Sequence, residues 1–172
     1  MTPIVSSWFS PALGTIKFNF DTLFTSSTKE AFSGVVARNS TGLIMAACLL
    51  HHFDVIDFFI AEARACEDAV NFAIELDFRF IHVEGDSLKV INKILSSSID
   101  HSLIRPIIFY IKTKLGIFEK SLSLTSVDKG MRQLMYSPRP IAVSNFPYTG
   151  LKEHRWKSNE WPFVISESRF KL

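Results

Sequence analysis

The changing hydrophobic period along this chain predicts an α/β domain on a mixed sheet, with elements in the order β-β-β-α-β-α-α-β. Three observations carry that prediction. "TIKFNFD" alternates apolar and polar residues, and two further apolar runs follow it around a turn-like connector. "DVIDFFIAEARACEDAVNFAIEL" is rich in alanine and has no internal Gly or Pro. Beyond it the strand period returns in "FRFIHV", gives way to two helix-spaced segments, and reappears in "SLSLTSV".

In the first strand Ile16, Phe18 and Phe20 share one face, Lys17 and Asn19 take the other, and the run ends on Asp21. "AFSGVVARN" and "LIMAACLL" flank "NSTG", whose Asn39 and Gly42 suit a turn, so the pair is a hairpin. The alanine-rich segment predicts a helix from about Phe58 to Leu76. "FRFIHV" is the fourth strand, and "SLKVINKIL" a short helix with Leu88, Ile91 and Leu95 on one side. "DHSLIRPIIFYIKTKLGIF" reads as a third helix that tolerates Pro106 if Ser102 caps it, because first-turn amides have no intrahelical partner. "SLSLTSV" completes five strands.

With 172 residues, nearly half of them hydrophobic, the chain can bury one sizeable core, which predicts one domain with irregular ends. A net charge of +2 permits a nucleic-acid partner without requiring one. Cys48 and Cys66 lie in different elements with no paired spacing, which argues against a zinc site or a disulfide framework and for reduced, intracellular thiols. No stretch approaches the roughly 18 apolar residues of a membrane span, and "MTPIVSSWFSPALG" lacks the pattern of a signal peptide. The expectation is a soluble protein; no basic cluster chooses between nucleus and cytoplasm. His51 and His52 read as loop residues, and His82 as pointing off the far sheet face. Ser6-Ser7 and Ser10-Pro11 read as a linker from which Trp8 docks on the core.

The acidic residues are harder to explain as structure alone. Glu62 shares a helical stripe with Cys66, Ala69 and Ala73, a small apolar face suited to packing on the sheet. A carboxylate there is costly unless paired or bound to a cation, although a partly solvated first-turn position favoured by the helix dipole explains it as well. Asp21 could simply start a turn, and Asp86 could cap the helix that follows Gly85. Parallel first and fourth strands would nevertheless bring Asp21 and Asp86 together at their carboxyl ends, with Glu62 nearby. Three hard oxygen ligands suit magnesium, and two such ions can drive phosphodiester hydrolysis with water as nucleophile.

"TIKFNFD", "GVVARNSTGLIMAACLL", "IAEARACEDAVNFAIEL", "IHVEGDSLKVINKI" and "DHSLIRPIIFYI" occur in the order found in plant ribonuclease H-like proteins, which are related to the RNase H domain of reverse transcriptases. The chain resembles that family over about Trp8 to Val127. The resemblance implies a ribonuclease H-like fold with a mixed five-stranded sheet and flanking helices. It also implies hydrolysis of the RNA strand of an RNA–DNA hybrid with two Mg2+ ions, Asp21, Glu62 and Asp86 matching the first three acidic ligands. The chain is expected to be a monomer with no membrane partner. Thr22 stands where the family often has Gly, and "HHFDVIDFF" is unusually aromatic.

After Val127 the family pattern stops. An Arg and an Asn-x-x-Ala-(Asp or His)-x-Leu-Ala helix with a fourth ligand position are expected, but "DKGMRQLMYSPRP" follows. Read across its codons, "KGMRQLMYSP" can encode Arg-Asn-Glu-Ala-Ala-His-Val-Leu-Ala, the missing helix. The same shift lets "NFPYTGLKEHR" encode a Tyr-Trp-Ile-Glu-Gly-Ala-Pro ending typical of the family. The inference is a shifted reading frame from near Asp128, giving a linker over 1–13, an RNase H-like domain over 14–128 and an irregular tail over 129–172. Two function classes follow: a magnesium-dependent hybrid ribonuclease, or a catalytically impaired nucleic-acid-binding remnant of a retroelement.

Overall fold

The alternating first third of the chain folds into three consecutive antiparallel strands, β1 (Ile16–Thr25), β2 (Glu30–Arg38) and β3 (Ile44–His52). Helix α1 (Phe58–Glu75) then crosses the sheet, β4 (Ile81–Gly85) pairs in parallel with β1, and α2 (Leu88–Leu95) and α3 (Arg105–Leu115) lead to β5 (Ser121–Leu124), parallel to β4. The computed structural model describes residues 9–119 and the backbone of 121–124. Its sheet is mixed, five-stranded and ordered β3-β2-β1-β4-β5, in the element order that the sequence predicts. Trp8 and the segment after Leu124, with the expected last helix and the tail, lie outside the described residues.

The core lies between the sheet and α1. Phe18, Phe20, Val35, Ala37, Ile81 and Val83 are buried with Cys66, Ala69, Val70 and Ala73 of the helix. Alanines along that stripe let the helix lie close to the strands, and Phe18 fills the remaining depth with edge contacts to Phe72 and Phe78, at centroid separations of 6.2 and 6.0 Å. Ile104, Ile108, Ile111 and Leu115 extend the same core to α3. Among the described residues no helix is long and apolar enough to cross a membrane.

Four local expectations are corrected. Asp21 does not end its strand: β1 continues to Thr25 because the pairing with β2 persists to Thr25↔Glu30, whereas the pairing with β4 stops at Asn19↔Glu84. His51 and His52 belong to β3, held there opposite Phe32 and Ala31. On α2 the buried side chains are Val90, Ile91 and Ile94, while Leu88 and Leu95 are each 58% exposed. Helix α3 is capped by Ile104, with Pro106 in its first turn; Ser102 instead bonds Asp100.

His52 joins β3 to α1. Its Nε2 lies 2.7 Å from Asp68 Oδ2 and 2.8 Å from Ser33 Oγ. Both partners meet the same ring nitrogen and Ser33 is fully buried, so the trio is a structural tie and not a nucleophile relay.

Candidate metal centre

Asp21 lies two residues beyond the last β1 position that pairs with β4, where the two strands part. Asp86 follows directly on the end of β4. The N-cap position of α2 falls on Ser87, and the Asp86 carbonyl accepts from the Leu88 amide at 2.9 Å. Asp57 caps α1 by accepting from the Ile60 amide at 2.8 Å. That cap starts the helix at Phe58 and leaves no acidic residue in its first turn, so Glu62 sits in the second turn, over the sheet and 1% exposed. The partly solvated first-turn explanation of Glu62 is therefore excluded.

One carboxylate oxygen each from Asp21, Glu62 and Asp86 falls within a group whose members all lie within 4.8 Å of one another. Asp21 is 4% exposed and its Oδ1 accepts from the Thr22 amide at 2.8 Å; Asp86 is the most open of the three. Like charges this close and this shielded from water raise one another's energy, and a bound cation relieves that cost. The donor set fits a hard divalent ion: all oxygen, all carboxylate, with one side open. The Cys66 thiol, one turn along from Glu62, is pushed well up by burial, then by Asp68 and Glu62, and stays protonated instead of adding a soft ligand.

The approach of β4 to β1 is close. A Cβ at Gly85 would stand 2.2 Å from the Phe20 ring, so only glycine fits immediately before Asp86. On the other side of the sheet, Lys17 Nζ lies 2.8 Å from Glu84 Oε2 with both side chains almost fully buried. Asn19 Nδ2 donates to the same oxygen at 2.9 Å, and Arg38 Nη1 donates to Asn19 Oδ1 at 3.2 Å. His82 on that side is half-buried, and burial, then Lys17, pull its pKa below the usual histidine value. Sequence reasoning missed this network. Its signal is the polar parity of "KFNFD" and "HVEGD", which becomes meaningful only when the two strands are neighbours.

The described chain resembles solved ribonucleases H. The RNase H1 of the halophilic archaeon Halobacterium salinarum superposes with a TM-score of 0.57 at 20% identity, over 69% of this chain and 89% of that one. The N-terminal RNase H domain of a Mycobacterium tuberculosis protein, solved as a maltose-binding-protein fusion, gives 0.58 at 14% identity, over 67% and 88%. A foamy viral protease-reverse transcriptase, solved in complex with an RNA/DNA hybrid, gives 0.53 at 11% identity, over 69% of this chain and 18% of that one. No curated protein sequence gives a significant match. The fold is thus that of ribonuclease H, with a carboxylate cluster at the point where β1 and β4 part. The chain belongs to the reverse transcriptase-like family, whose model matches residues 19–122.

Proposed function

We propose that this protein is a ribonuclease that hydrolyses the RNA strand of RNA–DNA hybrids, with Asp21, Glu62 and Asp86 as ligands of two Mg2+ ions. The observation that carries this reading is the convergence of three carboxylates, from β1, the residue after β4 and α1, within 4.8 Å on a ribonuclease H fold. Bound there, magnesium supplies the Lewis-acid charge that makes a water nucleophilic near neutral pH and stabilises the leaving oxygen of the phosphodiester. The residues themselves supply orientation. Glu62 is fixed by the packed helix, Asp21 by its bond from the Thr22 amide, and Asp86 by the strand end that Gly85 allows close to Phe20. An RNA–DNA hybrid as partner is supported by the foamy viral relative, solved with one.

In this reading the catalytic unit spans 14–128 and acts as a monomer, with 1–13 as a linker and 129–172 as an irregular tail out of the family frame. The test is cleavage of a labelled hybrid across a magnesium titration, wild type against Asp86→Asn. Loss of cleavage in the variant is expected; equal activity in both overturns the reading. A second reading, an impaired binding remnant, is favoured by the departure of the sequence from the family pattern after Val127. It predicts hybrid binding that is the same with and without magnesium, and no cleavage.

A further inference from the structure

Two residues before each strand-borne carboxylate stands a buried polar residue, Asn19 before Asp21 and Glu84 before Asp86, and these two face each other across the parallel pair. We propose that Asn19 and Glu84 are positioning residues for the carboxylate cluster, their bond locking β1 and β4 in the register that brings Asp21 and Asp86 together. The proposal rests on the metal-site reading above.

The need for such a lock follows from the sheet itself. Only Ile16 to Asn19 pair with Ile81 to Glu84, and Asn19↔Glu84 is the last pair before the strands part. A one-residue slip turns every side chain to the wrong face and is excluded by the core. A two-residue slip is different: it keeps Phe18, Phe20, Ile81 and Val83 on the α1 side, where it is opposed at one point, Val83 meeting the Phe20 ring in the place that only Gly85 fits. It also displaces Asp86 along Asp21 by about 7 Å, too far to share an ion.

Polar pairing discriminates strongly. In the observed register Glu84 Oε2 accepts from Asn19 Nδ2 at 2.9 Å and from Lys17 Nζ at 2.8 Å, while Arg38 on the neighbouring strand holds Asn19 Oδ1 at 3.2 Å. In the slipped register Asn19 would face His82, and the buried bonds of the network would break.

Manganese binding to the full chain, read by electron paramagnetic resonance without substrate, tests the proposal. Asn19→Leu is expected to weaken Mn2+ binding about ten-fold. Arg38→Met, which removes the guanidinium bond to Asn19, is expected to weaken it about three-fold. Ile108→Val on α3, a core control, is expected to lower Tm and leave the Mn2+ affinity unchanged. If Asn19→Leu and Arg38→Met bind Mn2+ like wild type while Asp86→Asn does not, the positioning role is overturned and the metal site stands. If wild type and Asp86→Asn bind equally, the metal site itself falls. Should Asn19→Leu not fold, wild-type affinity in Arg38→Met overturns the proposal.

Discussion

The two faces of β1 are both buried, yet they are built from opposite materials. Toward α1 the strand presents Phe18 and Phe20, packed among alanines and valines; away from it the strand presents Lys17 and Asn19, each bonded to a polar partner, and where β1 and β4 part Asp21 is gathered with Glu62 of α1 and with Asp86. The first face gains stability from area removed from water, and its register is marked at one point, where Gly85 meets the Phe20 ring. The second has little to gain from burial and depends on each hydrogen bond being made. Alternation along one strand therefore lets a single segment hold an apolar core on one side and a buried polar network on the other.

Substitutions on the two faces should separate accordingly. The largest effect is expected from Phe18→Ala, which removes a fully buried ring and should cost about 4 kcal/mol in urea unfolding. A cost below about 1 kcal/mol would break the claim that the α1 side holds the fold. Next, Asp86→Asn should lower hybrid cleavage at least about 100-fold, equivalent to roughly 2.7 kcal/mol, while raising or leaving unchanged the Tm in EDTA because one of three crowded negative charges is gone. Wild type, not the variant, should gain Tm when magnesium is restored. A fall in metal-free stability would mean that this carboxylate serves the fold after all.

A smaller effect, about 1–2 kcal/mol, is expected for His52→Ala, which unties β3 from α1. Hydrogen exchange should speed in β3 and leave β4 unchanged. Asp100→Asn should cost the least, about 1 kcal/mol at pH 7. Although burial opposes its charge, hydrogen bonds from Lys93 and Ser102 hold the Asp100 carboxyl down to about 2. A depressed carboxyl stabilises the fold above its unfolded value, near 3.9, and loses that contribution as the pH falls through the folded value. The deficit of Asp100→Asn should therefore shrink between pH 4 and pH 2, and a deficit that persists below pH 2 would assign the effect to packing.

Strand parity and the composition of the long helix made most of this architecture legible. "TIKFNFD" assigned faces correctly because its alternation is clean, and α1 begins at Phe58 as expected because Asp57 caps it and nothing interrupts it. On α2, "LKVINKIL" contains two apolar stripes that share Ile91, and the choice between Leu88 with Leu95 and Val90 with Ile94 is made by the neighbouring helix and sheet, not by the segment. The two histidines that end β3 look loop-like in isolation; pairing with β2, and for His52 the Asp68 partner sixteen residues away, make them strand. Asp21, Glu62 and Asp86 were each ambiguous alone, and only the parallel pairing of β1 with β4 gathers them.

The strand order β3-β2-β1-β4-β5 also imposes a schedule. The three antiparallel strands close over short turns, whereas Asn19 meets Glu84 only across 65 residues of chain, a slower, non-local step. During synthesis Asp21 and Glu62 leave the ribosome first, and the strand that completes their arrangement comes afterwards. A nascent chain that ends before Gly85 already carries two of the three carboxylates, but not the place where they meet.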